Sequence, residues 1–198
     1  MSIQKTGDWR RAQRILAKGA RDLGRSVDRA LLQEAHALRT ALVEGLDRQA
    51  PAGHALRPLA PLTVAARQLR RFRGSKVLIR TAELRNALAV IRRASLVFVG
   101  IPGTARGRDG HSLSARALAH EYGTGPTIVP ITPRMRRFLF ALYRQAGRAA
   151  QRTDGPGAGV IVIQIPPRPF MRPVLAAFQV GATRRFLTRV AADLTGGV

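Results

Sequence analysis

Val160-Ile161-Val162-Ile163-Gln164-Ile165-Pro166-Pro167-Arg168-Pro169-Phe170-Met171-Arg172 is the stretch from which the fold can be read. Its β-branched start predicts a strand, and the prolines that follow hold the chain extended, because each disfavours helical geometry in the residue before it. Pro173 then stands where a first helical position is expected, and a closing helix is predicted over 174–194. A strand, a rigid corner and a helix are thus set in one short segment. Arg168 and Phe170 lie at the corner between them.

Working back from this corner, 153–159 is a glycine-rich turn, and Thr132-Pro133 opens a helix that the sequence carries to about residue 152. Met135, Phe138, Leu139, Leu142 and Tyr143 lie along one side of it. It also holds Arg134, Arg136, Arg137, Arg144 and Arg148 with no acid. Further back, 114–122 reads as a short helix stopped by Gly123, and Ile128-Val129 as a short extended piece. The loop 103–112 has little to bury and is expected to be exposed and mobile. A strand is predicted over 95–99, a helix capped by Thr81 with Leu84, Leu88 and Ile91 on one face, a short strand or extended piece at Val77-Leu78-Ile79, and a helix at 63–69.

The N-terminal quarter is different. Trp9, Ala12, Leu16, Ala20, Leu23, Val27, Leu31, Ala35, Leu38, Leu42 and Leu46 recur in steps of three and four, one stripe of an amphipathic helix from an Asp8 cap to Pro51. Unbroken, it would be about 60 Å long, whereas a compact chain of this size has a radius of gyration of roughly 16 Å. Either it breaks near Gly24 into two packed helices, or part of its stripe lies against another subunit. The fold class expected is α+β: a small, mostly antiparallel sheet flanked by helices, with a helical arm at 1–50 and a second part at 51–198.

Composition narrows the function. The 198 residues carry a formal charge of +23, from 31 arginines and 3 lysines against 11 acids, and no cysteine. Disulfides, thiolate metal sites and cysteine nucleophiles are excluded. Such a charge favours polyanions or acidic protein surfaces. A GC-rich genome also writes basic positions as arginine, and composition alone leaves both explanations open. Arg70, Arg71, Arg73 and the arginines of the 132–152 helix form the candidate basic patch. No apolar run reaches the length of a membrane span and the first residues lack a signal-peptide core, so a protein made and used inside a cell, or released by lysis, is expected.

Catalytic patterns are not found. His120-Glu121 has no second histidine four residues on, the glycine-rich pieces lack a P-loop ending, and no serine stands in a nucleophile elbow. His120 reads as structural, hydrogen-bonded beside a tight turn. No enzyme activity, metal or cofactor is expected. Zinc fingers and aromatic-rich RNA-binding strands are missing too, which leaves sequence-independent phosphate attraction as the route to nucleic acid.

Five pieces occur in a telling order: Pro61-Leu62-Thr63; Leu78-Ile79-Arg80-Thr81-Ala82-Glu83-Leu84; Val97-Phe98-Val99-Gly100; Ala117-Leu118-Ala119-His120-Glu121-Tyr122-Gly123; and Ile165-Pro166-Pro167-Arg168-Pro169-Phe170. Over about residues 60–180 this series resembles the tailed-bacteriophage virion morphogenesis family, the tail-completion or neck proteins. Two departures stand out. The family has Thr-Gly where this chain has Thr81-Ala82, and it passes more quickly from the His-Glu-aromatic-Gly motif to the Pro-Arg-Pro-Phe motif. The resemblance implies a structural virion protein assembled in the host cytoplasm. It would form a ring, commonly six-fold, at the head–tail junction or top of the tail tube, as a tail-completion, terminator or connector protein. Its partners would be other copies of itself, other neck, connector and tail-tube proteins and, in transit, genome DNA, with no membrane. Candidate assembly contacts are Trp9, Leu16, Leu23, Leu31 and Leu38 on the helix, and His120, Glu121, Tyr122, Arg168 and Phe170 on the two motifs. The alternative is a basic DNA-binding or packaging-associated protein.

Overall fold

The structure, a computed structural model, describes residues 7–72, 74–147 and 159–195. It is α+β, with seven α-helices and four short strands among these residues. Helix α1 (Trp9–Asp47) is continuous over 39 residues. Asp8 accepts the Arg11 N–H at 3.0 Å and caps it, and no break occurs at Gly24. The chain then makes a single 3₁₀ turn (Pro51–Gly53), α2 (Pro61–Leu69) and the one-turn helix α3 (Glu83–Asn86). A hairpin of β1 (Ala89–Arg93) and β2 (Leu96–Gly100) follows, then α4 (Leu113–Tyr122), β3 (Thr127–Pro130), α5 (Pro133–Gln145) and β4 (Val160–Ile163). It ends in α6 (Arg172–Gln179) and α7 (Ala182–Thr195).

The expected single sheet is two separate antiparallel pairs, β1–β2 and β3–β4. The first pair replaces the helix expected to run on through Ile91. Leu84 and Leu88 do enter the core, but Val90 and Ile91 pair with Val99 and Phe98 across a turn at Ala94-Ser95. Val77-Leu78-Ile79 is not a strand. Leu78 has φ 62°, and the Gln49 side chain takes the place of a strand partner, accepting the Val77 N–H and donating to its carbonyl. The closing helix is two helices, because Gly181 at φ 71° turns the chain between them. Loop 103–112 is pinned to the body: Gly107 N–H donates to the His111 carbonyl at 2.9 Å, Leu113 N–H to Ala105 at 3.0 Å, and Asp109 pairs with Arg116.

Leu42, Leu46, Leu84, Leu88, Ile101, Leu113, Ala117, Phe170 and Val174 form the core. Burying side chains of this size stabilises the fold by roughly 1.5–3 kcal/mol each before entropy is set against it. The core crosses the boundary expected at residue 50, since Leu42 and Leu46 belong to α1. Helix α7 runs antiparallel along the middle of α1: Arg185 and Arg189 hold Glu34, and Arg29 Nη2 lies 2.9 Å from Asp193 Oδ2, an ion pair without hydrogen-bond alignment. The first buried residue of α1 is Ser26. Residues 9–25 therefore extend about 25 Å beyond the packed body, and it is this segment that forms the arm.

Candidate functional site

The two motifs nearest the C-terminal half meet at one place. Helix α4 ends in His120-Glu121-Tyr122, and Gly123 turns the chain at φ 78°. A Cβ at Gly123 would stand 3.0 Å from the Ile165 carbonyl oxygen and from the Pro167 ring, so the extended segment can lie against it only because the side chain is missing. Ile165 is joined to Thr124 twice, its carbonyl accepting the Thr124 N–H at 2.9 Å and its N–H donating to Thr124 Oγ1 at 3.1 Å. Of residues 166–169 only Arg168 has a backbone N–H, the other three being proline. It donates to the His120 carbonyl at 2.6 Å, so no donor in the corner is wasted.

Glu121 then takes over. Its carboxylate, 4% exposed, accepts the backbone N–H groups of Phe170 at 2.8 Å, Met171 at 3.0 Å and Arg172 at 2.8 Å. The Arg172 Nε adds a fourth contact at 3.3 Å. These are donors at the start of α6, which an isolated helix leaves without partners and where its dipole favours negative charge. Met171, at the cap position, makes no side-chain cap of its own. A carboxylate from a helix about fifty residues earlier caps α6, and four donors compensate its buried charge.

Other side chains clamp the same corner. Arg168 turns back to donate to the carbonyls of Arg57 at 2.9 Å and Pro58 at 3.1 Å. Phe170 is 0% exposed. The Arg172 guanidinium lies 4.6 Å from the centre of the Tyr122 ring. His120 Nδ1 is buried without a hydrogen-bond partner, contrary to the side-chain bond expected of it, and burial followed by the nearby Arg168 charge holds the imidazole below its ordinary pKa.

Glu121, Arg168 and Phe170 were expected at an assembly contact. That expectation is corrected: their polar groups and surface are used inside the subunit, and the two motifs form a latch that closes the fold. Tyr122 alone of the five shows a large exposed side chain. The capping role of Glu121 has no local sequence signal, because its partners are distant in the chain.

The open apolar surface lies elsewhere. On α1, Trp9, Leu16 and Leu23 are exposed, Leu16 by 72%. Leu31 is half-buried, and Leu38 packs against the subunit's own core. On the β3–β4 ribbon, Ile128 faces Val162 and Pro130 faces Val160. All four are exposed, Ile128 by 67%, and they share one face of the ribbon.

Of the basic patch, Arg70 stacks over Phe138 at 5.4 Å, which joins the end of α2 to α5. Arg71, Arg134, Arg136, Arg137 and Arg144 are exposed. Arg73 and Arg148, with the rest of the helix expected to reach residue 152, lie outside the described residues. Among the described residues no three potential metal ligands come together, and no helix is long and apolar enough to cross a membrane. Comparison of the chain with family models, with curated proteins and with solved structures finds no match.

Proposed function

We propose that this chain is a structural virion protein of a tailed bacteriophage. It closes with copies of itself into a ring, six-fold by the family's habit, at the head–tail junction or the top of the tail tube. The observation that carries this reading is uncovered apolar surface on two separate elements, the overhanging end of α1 and the outer face of the β3–β4 ribbon. A two-stranded ribbon is marginally stable alone, and two different faces on one subunit suit head-to-tail contacts that close into a ring. The motif order supports the same reading, and the latch gives the shared residues a physical role in holding the fold.

Light scattering after size exclusion, with negative-stain imaging, tests it. Discrete rings are expected. Leu16→Ser with Leu23→Ser should dissolve them while leaving subunit stability within about 0.5 kcal/mol, since both positions are exposed. A well-dispersed monomer at all concentrations, with no affinity for neck or tail-tube proteins, overturns the proposal.

The second reading, a basic DNA-binding or packaging-associated protein, is favoured by the exposed arginines of α5. It expects duplex affinity that falls steeply with salt and no discrete oligomer. In the ring reading most of this charge meets protein, because a lumen gripping phosphate would hinder passage of the genome. Images showing α5 lining the bore would overturn that part.

A further inference from the structure

An open cleft of about 1120 Å³ lies between residues 57–61, 77–81 and 163–168. The side chains of Arg57, Arg67, Arg80 and Arg168 line it, and none of the four is ion-paired among the described residues. Its two carboxylates, Glu83 and Asp109, are already held by Arg108 and Arg116. The arginines crowd one another. Burial and then Arg80 push the Arg67 guanidinium below its ordinary pKa, and burial and then Arg57 do the same at Arg168.

Among the described residues nothing else neutralises this cluster. Of the ten carboxylates among the described residues, nine pair with arginines of the same subunit, and the tenth, Asp8, caps α1. A second copy has no free described carboxylate to offer. The described carboxylates thus leave the cleft open to a counter-charge from another molecule.

We propose that this cleft binds an extended acidic segment of a different protein, one that alternates carboxylates with apolar side chains. Its size lies just above the roughly 300–1,000 Å³ typical of small-ligand pockets, which suits a stretch of chain. Between the guanidinium groups the lining is apolar, from Leu59, Leu78, Leu113 and the prolines. The guanidinium forks of Arg57 and Arg80 can match carboxylates two bonds at a time, while Arg67 and Arg168, held on backbone carbonyls, add charge. Among the described residues strand β4 is paired on one edge and its end enters the wall at Ile163, so an extended segment can add along it. A nucleic-acid strand fits less well, because no phenylalanine, tyrosine or tryptophan lines the cleft to stack a base, and its one aromatic ring, His120, is half-buried. The site is complete within one subunit, so binding here needs no ring.

The test uses the full chain and a fluorescent peptide of four Glu-Leu repeats at about 0.15 M salt, where long-range attraction is screened. Arg57→Gln with Arg80→Gln should weaken binding about tenfold or more. Arg134→Gln with Arg137→Gln, an equal charge change on α5, should alter it less than about twofold. Arg57→Lys with Arg80→Lys keeps the charge and loses the forks, and should give an intermediate loss. Melting curves of each variant confirm the fold. No peptide binding, equal losses from the cleft and α5 pairs, or displacement of the peptide by inorganic phosphate or a single-stranded oligonucleotide at lower concentration than by unlabelled peptide would each overturn the proposal.

Discussion

The Glu121 carboxylate accepts the backbone N–H of Arg172 at 2.8 Å, while the Arg172 guanidinium folds over Tyr122, the residue after Glu121. Two neighbours on α4 thereby fix the start of α6 from both its main chain and its side chain. Removing the carboxylate strands three backbone donors at once, that of Phe170 buried and those of Met171 and Arg172 partly so. Glu121→Ala should destabilise the subunit by about 3–5 kcal/mol, and Glu121→Gln, which keeps one acceptor, by about 1–3 kcal/mol. Urea denaturation measures both, and a loss under about 1 kcal/mol for the alanine variant would show that the latch is not what holds α6.

Phe170 gives a second, sharper test, because its position in the core removes it from any docking face. Phe170→Ala should cost about 3–5 kcal/mol, and loss of assembly should follow from the unfolded fraction alone. Phe170→Leu keeps most of the volume and should assemble normally once folded. A folded Phe170→Leu subunit that fails to assemble would return Phe170 to a direct role in contacts.

Ala82 occupies the left-handed region at φ 58°, ψ 4°, at the position where the resembling family carries glycine. An L-residue there is disfavoured by about 1–2 kcal/mol, partly offset by its smaller loss of freedom on folding. Ala82→Gly should therefore stabilise by about 0.5–1 kcal/mol, raising Tm by roughly 1–4 °C. A lower Tm in a calorimetric scan would refute the strain.

His120 should make stability fall on mild acidification. Its folded pKa is held below the ordinary 6.5 by burial first and Arg168 second, so below pH 6.5 the unfolded chain takes up a proton that the folded chain resists. The loss begins there and levels off once pH passes below the folded pKa. Asp47 and Asp109 are shifted down from 3.8 by their hydrogen bonds to Arg85 and Arg116, and act in a separate, more acidic range. Tm measured from pH 7 to pH 5 should decline for the wild-type chain and less for His120→Gln. Equal slopes would exclude His120 as the cause.

What could be read in advance was local. Asp8 and Thr132 cap the helices they open, at 3.0 Å and 3.2 Å, because a cap and its donor are three residues apart, whereas Thr81 does not cap, since α3 is entered through a left-handed Ala82 with no side-chain cap. Val160–Ile163 is a strand and Pro173 opens a helix for the same reason. Ile91 was misread because apolar residues at 84, 88 and 91 satisfy helical spacing, while pairing with Phe98 depends on a turn containing neither glycine nor proline. Gly181 was visible, yet the spacing from Phe178 to Phe186 spans two helical turns and hid the corner. The Glu121 latch and the arginine cleft could not be read at all. The latch joins segments more than forty residues apart and the cleft adds a third segment some eighty residues beyond its first two, and only packing brings them together.

The internal use of nearly every acidic side chain has a consequence for how this protein meets others. Copies of a subunit with a formal charge of +23 repel as they approach, and dissolved ions relieve that repulsion within a Debye length of about 8–10 Å at physiological strength. Added salt therefore favours joining like to like through greasy surface, and the same salt weakens the hold on an acidic stranger. Ionic strength sets the order of events: an anionic companion can serve as the counter-ion that lets further copies draw near.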